Sequence, residues 1–202
     1  MRFDGAKIKH YPLDGDISKR KRINTIVEDA EYDLWMGNTV GLWLLSSKTE
    51  TFKQEYTEII NFPVYALLPD EKGKLYIGTE KGLFTLYKGE LTQQLPDDNL
   101  LSSANRIKAI NLGQNGELWL ATALGLCRLD PTNGQFEFLN STKGTINKIA
   151  FRNITRIGET LYLGTENEGL FSFDIKTQTF SKFVDVGSSI ISSLSSNGVD
   201  CI

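Results

Sequence analysis

An all-β fold is what this sequence predicts, and three observations carry the prediction. A signature of one aromatic residue, a Gly-Thr or close variant, and a Gly-Leu pair recurs four times within 202 residues. Its aromatic members, Trp35, Tyr76, Trp119 and Tyr162, stand 41, 43 and 43 residues apart. Between them lie short alternating apolar segments cut by Gly, Asn and Asp turns, with no stretch patterned as an amphipathic helix. A period of about 40–45 residues made of four short strands is that of a propeller blade. The expected architecture is therefore a partial β-propeller, with about four complete four-stranded blades plus partial blades at both ends.

The elements follow in order. Residues 1–12 match strands C and D of a preceding blade, because MRFDG resembles the third strand CRLDP and KIKHY follows as a fourth. Complete blades are expected at 23–56, 63–95, 106–140 and 149–184, and residues 190–202 read as the start of a further one. Each blade opens on an apolar strand A (23–27, 64–68, 107–112, 151–154) and turns at a polar loop such as DEKGK or GQNGE. Strand B carries the aromatic, strand C begins at Gly-Leu, and strand D is polar-aromatic, as in TFKQEY and TFSKFV. A gradient from apolar A to polar D fits an inner strand lining the propeller and an outer strand facing water. In the fourth repeat the A–B turn is one residue shorter and the B–C loop one longer, so length changes fall in turns. A chain ordered C-D, four blades, then A is expected to be a fragment of a longer propeller.

Composition narrows the function. A net charge of −3 from 22 basic and 25 acidic residues argues against nucleic acid as the partner. No apolar run reaches the roughly 18 residues of a membrane-spanning helix, so direct membrane insertion by this segment is not expected. Two cysteines and one histidine, His10, leave little for a disulfide framework, a metal site or a Ser-His-Asp triad. No cofactor, metal or catalytic residue is expected. Three enzyme readings fail on residues: LGQNGELW has Gln114 where a sialidase Asp-box turn needs Asp, a streptogramin-lyase chemistry wants a rim histidine, and no carboxylate cluster suits calcium.

The run I-x-x-I-x-x-D-x-x-x-x-L-W-x-G-x-x-x-G-L over residues 23–42 resembles the two-component regulator propeller repeat. It recurs at 64–83 and more loosely in the third and fourth repeats, with Tyr76, Tyr162 and Ala121 as mild departures. The resemblance implies the periplasmic sensor region of a Bacteroidetes hybrid two-component histidine kinase, sensing oligosaccharides, with kinase modules outside this chain. It also implies a homodimer formed through the parent protein. A protein-interaction scaffold, or a lyase or glycosidase fragment, is the alternative.

Function in a propeller gathers in the D–A and B–C loops at one mouth of the central channel, because loops on a rigid scaffold vary without disturbing the core. Ligand-binding candidates there are Arg20, Arg22, Asn24, Tyr65, Arg106, Arg152 and Asn153 at the D–A approach. The B–C loops add Asn38, Glu80, Glu166 and Asn167. Arg, Asn and Tyr converging on one rim suit an anionic or polyhydroxyl ligand. The aromatic column and the column Trp43, Phe84, Cys127 and Phe171 are expected to be core, which makes Cys127 a small buried hydrophobe.

Overall fold

The computed structural model describes residues 22–94, 106–139 and 149–182, together with the backbone of Arg2–Phe3 and Ile8–Lys9. Arg20 and the expected strand at 190–202 lie outside the described residues. Strands β1 (Arg2–Phe3) and β2 (Ile8–Lys9) form an antiparallel pair. Four blades follow, each a four-stranded antiparallel meander. The first holds β3 (Ile23–Glu28), β4 (Leu34–Asn38), β5 (Gly41–Leu45) and β6 (Phe52–Glu55). The second holds β7 (Val64–Pro69), β8 (Lys74–Thr79), β9 (Gly82–Tyr87) and β10 (Glu90–Gln94). The third holds β11 (Ile107–Leu112), β12 (Leu118–Thr122), β13 (Gly125–Leu129) and β14 (Phe136–Leu139). The fourth holds β15 (Phe151–Ile157), β16 (Thr160–Thr165), β17 (Leu170–Asp174) and β18 (Thr179–Lys182). Each blade's first strand packs beside the first strand of the next, so β3, β7, β11 and β15 form the inner row. No helix occurs among the described residues.

The core consists of three wedges, one between each pair of neighbouring blades, and strand alternation builds them. On β12, Leu118 and Leu120, together with Cys127 of β13, face Tyr76 and Leu83 of the second blade. The intervening Trp119 and the next-but-one Ala121 face the fourth blade with Phe151, Leu161 and Leu163. Trp35 on β4 reaches the second blade in the same way, against Leu67, Leu75 and Ile77. Because side chains alternate across a strand, one strand thus fills two interfaces. The aromatic takes the wide part of each wedge, and Trp119 is only 2% exposed. Its polar edge is also satisfied: Trp35 Nε1 donates to Asp29 Oδ2 at 2.8 Å, and Trp119 Nε1 donates to Glu117 Oε1 at 3.3 Å. Asp29 and Asp70 simultaneously accept backbone N–H groups across their A–B turns. Cys127 is fully buried, and that burial pushes its thiol up, away from the reactive thiolate.

Burial does not follow apolar content alone. The two middle strands, not the inner one, are the most enclosed: β8 and β12 are buried almost throughout, whereas β3 and β11 are mostly half-exposed. A middle strand is covered by a blade on each face and a strand on each edge. An inner strand has one edge turned toward the axis. The short fourth A–B turn is confirmed by register, since Thr155 pairs with Tyr162 where Val27 pairs with Trp35.

Two residues past each aromatic stands a small residue that lets the next inner strand approach. A Cβ on Gly37 would lie 2.5 Å from Val64 Cγ1 and 2.8 Å from Thr25 Cγ2, and one on Gly78 would lie 3.0 Å from Ile107 Cγ2. The third blade accommodates Ala121 at this place, fully buried. Gly37→Ala should therefore destabilise the protein by about 1–3 kcal/mol through overpacking. Ala121→Gly should cost roughly 0.5–1 kcal/mol through the entropy of the added glycine. Urea unfolding midpoints measure both, and a neutral Gly37→Ala would contradict the close approach.

Candidate functional site on the blade rim

The same irregularity recurs in all four inner strands. Between Ile23 and Thr25, Val64 and Ala66, Ile107 and Ala109, and Phe151 and Asn153, the ladder carries one residue more on the inner strand than on its partner. The extra residues are Asn24, Tyr65, Lys108 and Arg152. A β-bulge re-aims a side chain and leaves the ladder on either side intact. Here it sits where each inner strand enters its blade, at the end that also carries the B–C hairpins.

From these bulges a polar network spans three blades. The Tyr65 hydroxyl donates to Glu80 Oε2 in the B–C turn of its own blade. Arg106, at the entry to the third blade, donates to Glu80 Oε1 from both Nε, at 2.8 Å, and Nη2. Lys108 lays its ammonium over the Tyr65 ring, 3.3 Å from the centroid, a cation–π contact across the blade boundary. Arg152 pairs with Glu166 in the fourth blade. In the first blade Asn24 Nδ2 donates to the Val64 carbonyl at 2.8 Å, tying one bulge to the next inner strand.

The electrostatics follow from this packing. Burial, then the hydrogen bond to Glu80 and its charge, pushes the Tyr65 phenol up to about 12. Burial pushes the Glu80 carboxyl upward, but the hydrogen bonds from Tyr65 and Arg106 outweigh it and hold the group below its ordinary value. Lys108 moves down to about 8, through burial first and the Arg106 charge second.

The B–C hairpins are held by a repeated side-chain turn. Thr79 donates its hydroxyl to the Gly82 carbonyl at 2.7 Å and accepts the Lys81 N–H at 3.0 Å. Thr122 and Thr165 make the same pair of bonds. Asn38 takes the equivalent place in the first blade, 2% exposed, with Oδ1 accepting the Val40 N–H. Its side chain serves the turn and not the open rim. Outer-strand glutamines brace the hairpins further, Gln54 bonding the Val40 carbonyl and Gln93 the Lys81 carbonyl.

The structure thus brings together Tyr65, Glu80 and Arg106, and places Arg152 and Glu166 on the adjoining blade. Asn24 stands at the first bulge and Asn153 one residue beyond the fourth, paired with Gly164. Arg22 is exposed ahead of β3, and Asn167 is exposed at the tip of its loop. Lys108 was missed by sequence reasoning, although it occupies the column of Asn24, Tyr65 and Arg152. A separate groove of about 1040 Å³ opens on the opposite face, between the A–B turns of the second and third blades. Among the described residues no group of His, Cys, Asp and Glu is arranged to hold a metal ion.

Removing the acceptor tests the clamp. In Glu80→Gln one charge and one strong hydrogen bond that disfavour the phenolate are lost, so Tyr65 should titrate below its value in the parent while burial keeps it above an exposed tyrosine. A 13Cζ-tyrosine NMR titration reads the shift, and an unmoved Tyr65 would contradict the arrangement.

With the geometry in hand, likeness to known structures can be placed. The extracellular domain of the hybrid two component system BT3049 from B. thetaiotaomicron superposes with a TM-score of 0.67, at 19% identity over 89% of this chain and 24% of that one. Virginiamycin B lyase from Staphylococcus aureus gives 0.66 at 13% identity, over 88% and 59%. PorZ, a bacterial surface component of the type-IX secretion system of Porphyromonas gingivalis, gives 0.64 at 12% identity, over 89% and 29%. No family model and no curated protein matches the sequence. The chain spans about a quarter of the length of the first of these structures. What is shared at such identities is the fold, all-β with propeller blades.

Proposed function

We propose that this chain is a non-catalytic ligand-sensing propeller region of an extracytoplasmic sensor, part of a hybrid two-component histidine kinase, and that its ligand is an oligosaccharide. The observation that carries the reading is the rim network of Tyr65, Glu80, Arg106, Lys108, Arg152 and Glu166, in which β-bulges set Tyr65, Lys108 and Arg152 and the B–C hairpins present Glu80 and Glu166. Planar guanidinium and carboxylate groups hydrogen-bond vicinal hydroxyls in pairs, and an aromatic face accepts a sugar ring. The fold likeness to a sensor's extracellular domain supports the same reading, and so does the repeat motif. Output would arise by population shift, with ligand favouring one arrangement of paired sensor chains. The likeness to a lyase concerns the fold alone, and the single histidine, His10, lies outside the described residues.

Thermal unfolding against a glycan panel tests the proposal. One oligosaccharide should stabilise the protein by about 2.7 kcal/mol when present at a hundredfold excess over its dissociation constant. Glu80→Gln should weaken that binding. A panel without any stabilising member, alongside a protein partner that binds the rim, would replace the sensor with a scaffold. Turnover of any glycan would overturn the non-catalytic assignment.

A further inference from the structure

Among the described residues of the network the charges do not cancel. Arg106 spends its charge on Glu80, which also receives Tyr65, and Arg152 is paired with Glu166. Lys108 takes part in none of the ion pairs among the described residues; its partner is an aromatic face. Among these five described groups three cations stand against two carboxylates, and the unmatched one, Lys108, is half-buried and within the electrostatic reach of both arginines. Burying a cation without a counter-ion is unfavourable, and a bound anion would relieve it. The groove on the opposite face has the reverse balance, five carboxylates to three cations, so an anion is directed to the rim.

Resting on the sensor reading above, we infer that the rim's ligand carries an anionic group, a carboxylate or a sulfate ester, which seats against Lys108 between Arg106 and Arg152. The Tyr65 ring beneath Lys108 fixes the ammonium from one side and leaves its other donors for the incoming oxygen atoms. The lowered titration of Lys108 adds a pH signature. Arg106 and Arg152 face it and push it down, Glu80 and Glu166 oppose them, and Tyr65 stays neutral. As pH rises through about 8, Lys108 loses its charge and an anion loses its counter-charge.

Calorimetric titration of the full chain tests this with matched pairs. Oligosaccharides of galacturonate, glucuronate and mannuronate are each set against the corresponding methyl ester, and a sulfated galactan oligosaccharide against its desulfated form. At least one acidic member should bind on the order of tenfold more tightly than its neutral counterpart at pH 7, and more weakly at pH 9. The uronate and sulfate arms show which anion is read. Lys108→Met should remove most of the preference, whereas Lys108→Arg should keep the preference and lose the pH dependence, because arginine stays charged. Thermal midpoints confirm that both variants are folded. Neutral members binding as well as acidic ones, or an acid preference unchanged in Lys108→Met, would overturn the inference while leaving the sensor reading in place. Binding of no member, acidic or neutral, would remove both.

Discussion

The middle strands of the second and third blades must fill two wedges at once, and the rest of the structure depends on that requirement. Trp35, Tyr76 and Trp119 point forward into the next blade, and the aliphatics on either side of Tyr76 and Trp119 point back into the previous one. A helix cannot meet this demand, because its apolar residues gather on one stripe. A strand covered on one face would leave alternate positions polar. Here the strands are apolar on both faces because both faces are interfaces, and large aromatics supply the volume that a wedge requires. The small residue two places on, Gly37, Gly78 or Ala121, follows from the same geometry, since the next inner strand passes over it.

With strand alternation committed to packing, polar side chains on the inner strands stand where the alternation is broken. The inner-strand bulge provides that break once per blade, at the same register step. Asn24, Tyr65, Lys108 and Arg152 can therefore differ from blade to blade without altering the wedges. The buried threonine turns hold the facing hairpins, so Glu80 and Glu166 are presented from a fixed backbone. Rim chemistry and core stability thus occupy separate residues of the same strands.

Much of this was legible in the sequence, because the fold repeats and each repeat checks the others. The strand order within blades, the core role of Trp35, Tyr76 and Trp119 and the turn that absorbs the fourth repeat's deletion all follow from spacing, whereas Tyr162, the fourth of the column, is half-buried. The inner strand's partial exposure was not legible, because apolar content does not reveal which edge faces the axis. Asn38 looked like a rim residue because it is polar and in a loop; only the bond to Val40 N–H reveals it as the first blade's substitute for a buried threonine. Lys108 escaped notice because a lysine inside an apolar strand reads as a solvated side chain until the bulge is seen. Its contact with Tyr65 joins residues 43 positions apart and depends on the blade-to-blade register, which no local pattern encodes.

The central claim is that recognition belongs to the bulged rim and not to the groove on the opposite face. A crystal structure of the protein with a bound oligosaccharide tests it most directly. The predicted result is a sugar seated against Tyr65, Lys108 and Arg152, with the blades unchanged. A sugar seated in the opposite groove, against Asp70, Glu117 and Arg128, would contradict it.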